Sequence, residues 1–277
     1  HSAVGRPTDL TLFQWSQIIA ATLEFKPDLI IELGRGKGNS TCAFAEALQM
    51  LKIPASIESL CFSDDWDRET LNKIQPLISA EWLKPIHIIR GDILTQDFNA
   101  MTRDKKRILL FWDAHGFEVA ECVLGNILPL IASQNHLVIM HDLSDARYSH
   151  ESKSFYGSNS LWKGNNWEGP RLCLGNIYSA VEQSISAIDF TSRNKITLRS
   201  ADEDIRTEIG AFVEKTEEMK ALLDDLFSLS AHWFHFSLNE RSGTFTFPVL
   251  ANKPLVSNTK NISSKNLFSI LFRAFFK

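Results

Sequence analysis

The sequence has few cysteines, and none of them shows the paired spacing that binds zinc or builds a disulfide framework. No CxxC pair occurs in the 277 residues, and the four cysteines are scattered as Cys42, Cys61, Cys122 and Cys173. This usage favours a reduced, cytoplasmic protein over a secreted disulfide scaffold. No charged segment leads into an uninterrupted apolar one at the start, so no signal peptide is predicted.

Excess positive charge and long apolar runs are lacking as well. The formal net charge is -4 at pH 7, which gives no general attraction for phosphate backbones and argues against nucleic acid as a partner. The apolar stretch 267–277 is far too short to cross a bilayer, so no transmembrane segment is predicted. We expect it to dock on the domain or to join copies of the chain in a homo-oligomer, in preference to anchoring in a membrane.

What the sequence does contain is a glycine-rich turn between an apolar segment and a helix. Residues 28–33 predict a strand that includes Glu32, and Gly34, Gly36 and Gly38 follow at every second position. Glycine allows positive φ and brings bare backbone against a ligand. The helix that follows adds unpaired N–H groups and a positive dipole end. At the end of the first strand of an open α/β sheet, such a loop binds nucleotide-like cofactors.

Strands and helices alternate along the first half of the chain. Further strands are predicted over 57–63, 86–90, 108–112 and 137–140, with helices between them and one over 9–24 before the first strand. Residues 233–238 and 244–249 predict a hairpin that closes the sheet with an antiparallel pair. The predicted fold is therefore α/β, with a doubly wound, mostly parallel seven-stranded sheet and a C-terminal antiparallel hairpin.

The domain organisation predicted from these patterns is a single domain with appendages. The domain covers 1–253, with a loop or lid insertion at about 143–175 and a helical insertion at about 176–232. The tail 254–277 carries an apolar helix. A loop as long as 143–175 in a compact domain is functional or disordered. Because it follows the edge of the sheet, we interpret it as a substrate lid.

Each of the five predicted parallel strands ends in an acid. Right-handed crossovers place the carboxyl ends of such strands on one edge of the sheet. The sequence therefore predicts a ring of acids around one cleft, with His115 and His141 beside the last two. The acids are Glu32, Asp64, Asp92, Asp113 and Asp142.

Together these residues resemble the class I S-adenosylmethionine-dependent methyltransferases. Within that class the chain is similar to the small-molecule O-methyltransferases related to macrocin O-methyltransferase and the cephalosporin hydroxylase group. The run Glu32–Gly38 fits the acid-x-Gly-x-Gly-x-Gly signature of the class, and the resemblance covers about residues 10–142. It implies a Rossmann-like methyltransferase fold, S-adenosylmethionine as cofactor, and a small-molecule or sugar hydroxyl as acceptor.

The resemblance also implies roles for single residues. Asp64, two residues before a tryptophan, would accept both ribose hydroxyls, and Asp92 would lie beside the adenine amino group. The methionine part of the cofactor would lie at the glycine loop. The implied cofactor-binding set is Glu32, Gly34, Gly36, Gly38, Ser40, Asp64, Asp92 and Asp113.

The implied chemistry is alignment of an acceptor oxygen and removal of its proton, because a methyl group on sulfonium is already activated. Asp113, His115 and His141 are the catalytic candidates. Mg²⁺ held by Asp113, Asp142 and His141 would lower the pKa of the acceptor. Histidine is a softer ligand than Mg²⁺ favours, so a metal-free mechanism with His115 or His141 as the base stays open.

The same residues leave three alternatives to a methyltransferase. An NAD-type Rossmann oxidoreductase is disfavoured because Asn39 stands where G-x-G-x-x-G needs glycine or alanine. A non-haem iron oxygenase could use Asp113, His115 and His141, but it does not need the glycine loop. A non-catalytic methyltransferase-fold binding protein is the third alternative. For single residues, an acid can simply cap a turn, and His115 can cap the helix that follows it.

Overall fold

The computed structural model describes residues 1–4, 10–141, 178–200 and 233–248. The predicted lid at 143–175, the predicted helix at 202–227 and the tail at 254–277 lie outside these ranges. No helix in the described ranges is both long and apolar enough to span a membrane.

The described residues form one sheet of seven strands, in the order β3-β2-β1-β4-β5-β7-β6. The first five strands run parallel, and β7 is antiparallel to both β5 and β6. This is the Rossmann-like methyltransferase fold, so the predicted fold class is confirmed. The strands are β1 (Leu29–Leu33), β2 (Ser56–Cys61), β3 (Ile86–Arg90), β4 (Arg107–Trp112), β5 (Asn135–Met140), β6 (Arg199–Ser200) and β7 (Phe234–Phe236).

Eight α-helices accompany the sheet within the described ranges. A π-helical turn, Trp66–Thr70, precedes the third helix, and another, Val123–Ile127, joins the sixth to the seventh. At Pro76 the chain passes from the third helix into the 3-10 turn Gln75–Leu77. The helices are α1 (Leu12–Phe25), α2 (Asn39–Leu51), α3 (Leu71–Ile74), α4 (Ala80–Leu83), α5 (Phe98–Thr102), α6 (Phe117–Cys122), α7 (Leu128–Ile131) and α8 (Tyr178–Arg193).

The sheet is covered on both faces, as its apolar strands predict. All five residues of β1 are buried. Leu29, Ile31 and Leu33 pack in the cluster that includes α6 and α8, while Ile30 packs in the cluster that includes α1 and α2. Full burial of each such side chain contributes about 1.5–3 kcal/mol. The alternation of a pleated strand therefore assigns each residue of β1 to one helical layer.

The antiparallel closure of the sheet is confirmed, but its residues differ from the prediction. β7 pairs with Arg199–Ser200, and residues 244–248 form no strand. After β7 the chain turns into the 3-10 helix Leu238–Glu240, whose N-cap Ser237 accepts a hydrogen bond from the Asn239 amide.

The segment predicted as the second hairpin strand instead covers the end of α8. The Phe247 ring stacks on Phe190 at 5.9 Å, and the Thr246 amide donates to Asn194 Oδ1 at 2.7 Å. Its aromatic side chains and its backbone are therefore used against α8 and the loop after it.

His136 ties β5 to the turn after β7. Its Nδ1 donates to the Gln134 carbonyl at 2.9 Å, and its Nε2 accepts from the Leu238 amide at 2.9 Å. Both contacts require a neutral imidazole with its hydrogen on Nδ1. Burial lowers the pKa of His136, which favours this neutral form.

Candidate cofactor and catalytic site

The glycine loop joins β1 to α2 at the carboxyl edge of the sheet. Gly34, Gly36 and Gly38 have φ values of 97°, 51° and 85°, a region that favours glycine. A Cβ on Gly34 would lie 2.7 Å from the Asp113 carbonyl carbon, and one on Gly38 would lie 2.4 Å from the Trp66 ring. A Cβ on Gly36 would meet nothing within 4 Å. The outer glycines thus serve packing inside the protein, and the middle one faces open space.

The N-terminus of α2 completes this loop. The helix begins at Asn39, and its N-cap, Gly38, supplies no side-chain hydrogen bond to the first turn. The amide groups of a first helical turn have no partners within the helix and carry the positive end of its dipole. Loop and helix together offer backbone N–H groups and the positive end of a helix dipole, which suit a ligand with carboxylate or other acceptor groups.

Glu32 lies beneath the loop and is fully buried. Its carboxylate accepts hydrogen bonds from Ser40 Oγ at 2.5 Å, from Thr41 Oγ1 at 2.6 Å and from Ser59 Oγ. The sequence placed Glu32 and Ser40 in the cofactor-binding set, whereas the structure directs both side chains to each other under the loop. Their geometry is that of a support for the loop and the first turn of α2.

Arg35 is a residue that the sequence analysis missed. It stands between two loop glycines and is only 3% exposed. Its Nη1 donates to the Ser59 carbonyl at 2.6 Å and to Ser59 Oγ at 3.2 Å, and its Nη2 donates to the Ser63 carbonyl at 3.4 Å. Because Ser59 also donates to Glu32, the hydroxyl joins a buried cation to a buried anion. The available sequence signal was this pair of opposite charges in an otherwise apolar and glycine-rich run.

Asp64 follows β2 and has a side chain that is 41% exposed. Its carboxylate oxygens lie 3.7 Å from Arg68 Nη1 and 3.6 Å from Arg90 Nη2. Arg68 makes a closer contact of 2.7 Å with Asp65. Exposed ion pairs of this length contribute little free energy to stability. Asp64 can therefore exchange them for hydrogen bonds to a ligand at small cost.

Asp92 follows β3 and caps the 3-10 turn Ile93–Thr95. Its Oδ1 accepts a hydrogen bond from the Leu94 amide at 2.9 Å. The capping interpretation of this acid is therefore confirmed, and one of its two carboxylate oxygens is committed to the turn.

Asp113 and His141, at the ends of β4 and β5, are brought together. His141 Nδ1 lies 3.3 Å from Asp113 Oδ1, and the Asp113 side chain is the more exposed of the two, at 26% against 10%. His141 Nε2 lies 3.5 Å from Gln14 Nε2 of α1, and its ring lies 4.6 Å from the Trp233 ring. Gln14 and Trp233 are two further site residues that sequence analysis missed.

His115 lies half-buried after β4, between Asp113 and the start of α6. The N-cap of α6 is Gly116, with φ of 105° and no side-chain hydrogen bond, so the expectation that His115 caps this helix is wrong. His115 remains a catalytic candidate by position alone.

The predicted Mg²⁺ site is not supported by the described residues. Within the described ranges, no group of three or more His, Cys, Asp or Glu side chains could hold a metal ion, and Asp142 lies outside those ranges. The Asp113 carboxylate contacts an imidazole nitrogen of His141. Imidazole is a softer metal ligand than Mg²⁺ prefers. These residues do not fit the ion, and no chemical step is derived through it.

Two cavities lie away from the glycine loop. One of about 520 Å³ lies between α1 and strands β5 and β7, and includes Ile18, Phe25 and Trp233. Another of about 510 Å³ lies near the amino ends of β2 and β3, and includes Lys52, Lys84 and Lys105 among its residues. Neither cavity includes a residue of the glycine loop. The convergence of loop, helix N-terminus and acids at the carboxyl edge is the stronger indicator.

Comparison with known proteins gives structural similarity only. No protein-family model matches the chain, and no curated protein matches it. The S-adenosylhomocysteine-bound methyltransferase PaMTH1 from Podospora anserina is 13% identical, covers 81% of this chain and 77% of its own, and has a TM-score of 0.46.

Two bacterial structures show the same level of similarity. The O-methyltransferase TomG from Streptomyces achromogenes, solved with S-adenosylmethionine and involved in tomaymycin synthesis, is 11% identical with a TM-score of 0.43. A putative O-methyltransferase from Klebsiella pneumoniae is 14% identical with a TM-score of 0.42. Each match covers 67% of this chain and 71% of the other. Values this low carry no argument about activity, and the strand order establishes by itself that the chain has a Rossmann-like methyltransferase fold.

Proposed function

We propose that this protein is an S-adenosylmethionine-dependent methyltransferase acting on a hydroxyl of a small-molecule or sugar acceptor. The observation that carries the proposal is the glycine loop. Its outer glycines pack against Asp113 and Trp66, while Gly36 faces open space beside the N-terminus of α2. In open α/β sheets, nucleotide-like ligands bind at this position.

The residues around the loop fit the parts of this cofactor. Backbone N–H groups from the loop and the first turn of α2 suit its carboxylate. Asp64 is exposed at the end of β2 and can exchange its weak ion pairs for the two ribose hydroxyls. Asp92 has a second carboxylate oxygen for the adenine amino group. Glu32 and Ser40 act from beneath, by holding the loop in shape.

Asp113 is the group that we assign to the acceptor hydroxyl. The bound cofactor supplies a methyl group already activated on sulfur, so the protein must orient the acceptor oxygen and take its proton as the C–O bond forms and the C–S bond breaks. Asp113 is the more exposed member of the pair with His141, and the imidazole lies behind it. The sequence left His115 or His141 as the candidate base, and we assign that role to Asp113, the third catalytic candidate.

Further parts of the proposal come from the sequence. The single domain over 1–253 with two insertions, a lid over the acceptor and a homo-oligomer through the tail are carried over from sequence patterns. A cytoplasmic location is supported by the cysteine usage. A role in small-molecule biosynthesis follows from the class of acceptor.

The cofactor proposal is tested by calorimetry and thermal unfolding with S-adenosylhomocysteine. Binding should stabilise the protein by RT ln(1 + [L]/Kd), which is about 2.7 kcal/mol at a ligand concentration of 100 Kd. Asp64→Asn should weaken the affinity about tenfold, since it loses charge-assisted hydrogen bonds to the ribose. Asp67→Asn, three residues further on at an exposed position, is the matched control and should leave the affinity unchanged.

The outcomes separate the competing functions. No heat and no thermal shift at millimolar S-adenosylhomocysteine would refute the cofactor. Binding of NAD in place of S-adenosylhomocysteine would favour the oxidoreductase. If Asp64→Asn binds as tightly as the natural sequence, the ribose contact does not belong to Asp64.

A further inference from the structure

We propose that Gln14, in the first turn of α1, fixes the tautomer of His141 and thereby makes Asp113 the acceptor-facing member of the pair. Gln14 is a positioning residue that acts through the imidazole. The inference deepens the proposed function and rests on it for the identity of the acceptor. The tautomer itself can be measured without any cofactor or acceptor.

The orientation of the Gln14 amide is set by the start of its own helix. Thr11 Oγ1 accepts a hydrogen bond from the Gln14 amide nitrogen at 3.2 Å, and Gln14 Oε1 accepts one from the Thr11 backbone N–H at 2.9 Å. These reciprocal bonds form a capping box. A side-chain amide has one accepting and one donating end. With the oxygen held by Thr11, the NH₂ group is directed away from the helix backbone.

That NH₂ group lies against the imidazole of His141. Gln14 Nε2 and His141 Nε2 are 3.5 Å apart, and the two residues are 4% and 8% exposed. An NH₂ group can only donate, so His141 Nε2 has to accept. A neutral imidazole that accepts at Nε2 carries its hydrogen on Nδ1. The capping box therefore selects the Nδ1–H tautomer.

The selected tautomer has its hydrogen on the nitrogen that contacts Asp113. His141 Nδ1 lies 3.3 Å from Asp113 Oδ1, an electrostatic contact between an N–H group and a carboxylate. The ring is also held laterally, because it lies 4.6 Å from the Trp233 ring, and Trp233 Nε1 donates to Gln17 Oε1 at 3.0 Å. Gln14 and Gln17, one turn apart on α1, thus both hold the imidazole. Gln14 contacts its Nε2 atom, and Gln17 holds the Trp233 ring that lies beside it.

This arrangement decides how the pair can act on a hydroxyl. The lone pair of His141 faces Gln14, so the imidazole does not present a basic nitrogen to the cleft. The N–H group beside Asp113 gives the carboxylate an electrostatic partner, which favours one direction of that carboxylate. Asp113 then accepts the hydrogen of the acceptor hydroxyl, and His141 orients it.

Gln14→Glu is the sharpest perturbation, because it replaces the donating NH₂ by an accepting oxygen of nearly the same size. The imidazole must then place a proton on Nε2, either as the other tautomer or as the cation. Gln17→Glu is the matched control: it adds the same charge one turn further along α1 and keeps an oxygen that can accept from Trp233. Gln14→Met is the second test variant, which removes the donor and keeps the volume.

The tautomer is read from ¹⁵N chemical shifts of histidine-labelled protein without ligand, with the His141 signals assigned by their absence in His141→Asn. In the natural sequence and in Gln17→Glu, Nδ1 should be protonated and Nε2 should not. In Gln14→Glu, Nε2 should become protonated, and in Gln14→Met the Nδ1–H population should fall. Circular dichroism checks that each variant is folded.

An Nε2–H tautomer in the natural sequence would overturn the inference, and so would an unchanged Nδ1–H signal in a folded Gln14→Glu or Gln14→Met protein. If Gln14→Glu does not fold, the natural sequence and Gln14→Met still decide the question. Failure to bind S-adenosylhomocysteine would refute the proposed function and leave this measurement unaffected.

Discussion

The buried network beneath the glycine loop gives a prediction that can be worked through in free energy. The Ser59 hydroxyl donates a hydrogen bond to Glu32 and accepts one from Arg35, so a single hydroxyl links the two buried charges. We expect Glu32→Gln and Arg35→Met each to destabilise the protein, and the two changes together to cost less than their sum. The double-mutant cycle measures the difference.

The magnitudes follow from burial. Glu32 is fully buried and accepts three hydroxyl hydrogen bonds, and bonds to a charged group are each worth about 1.5–3 kcal/mol. Glutamine keeps one accepting oxygen but leaves Arg35 buried without a countercharge, so we expect a loss of about 3–5 kcal/mol. Removing Arg35 strands Glu32 in the same way. The double variant leaves no buried charge without a partner, so the coupling free energy between positions 32 and 35 should be about 1–3 kcal/mol.

The assay is urea unfolding at constant pH, followed by circular dichroism, for the natural sequence, both single variants and the double variant. The exposed pair of Glu58 and His87, 2.7 Å apart on neighbouring strands, is the control cycle. Its coupling should stay below about 1 kcal/mol because solvent screens it. A coupling between positions 32 and 35 that is no larger than the control would refute the network.

Three further predictions use the same stability and binding assays. Gly38→Ala should lower the unfolding temperature strongly, since its Cβ would overlap the Trp66 ring. Gly36→Ala should lower it less, through its positive φ alone, and should also weaken S-adenosylhomocysteine binding. Burial lowers the pKa of His136, so the unfolded chain binds a proton that the folded chain does not; stability should fall as pH drops below about 6.5, and His136→Gln should flatten that dependence. Burial raises the pKa of the Cys42 thiol to about 12, so in the native protein Cys42 should resist alkylation at pH 8 that proceeds in urea, as followed by mass spectrometry.

The parallel strands were predictable because each is an apolar run bounded by turn residues, and their observed limits differ from the predicted ones by at most two residues. The last pair of strands, β6 and β7, was not predictable in full. β6 has only two residues, Arg199–Ser200, and a strand this short shows no periodicity. The alternating pattern at 244–248 was misleading because its aromatic residues pack against α8.

Some residues of the candidate site were likewise predictable from the sequence, and others were not. Topology alone brings Asp64, Asp92 and Asp113 to one edge of the sheet. Gln14 and Arg35 could not be found by pattern, because their roles depend on partners that folding brings close: His141 is 127 positions from Gln14, and Ser59 is 24 positions from Arg35. A glutamine in the first turn of a helix predicts a capping box, but its free amide end has no signature in the sequence.

The position of each acid along its strand explains why two acids at strand ends serve different purposes. Glu32 is the fourth of the five residues of β1, so it shares the face of Ile30 and meets the first turn of α2. Asp113 comes one residue after β4 ends; its amide donates to the Leu33 carbonyl at 2.9 Å, and its backbone packs against Gly34. Relative to the strand ends, the two acids therefore differ by two residues along the sheet: Glu32 lies below the loop, and Asp113 lies at the edge of the sheet beside Gly34. Counting acids at strand ends finds the edge where a ligand binds, and their register within each strand tells which of them can touch it.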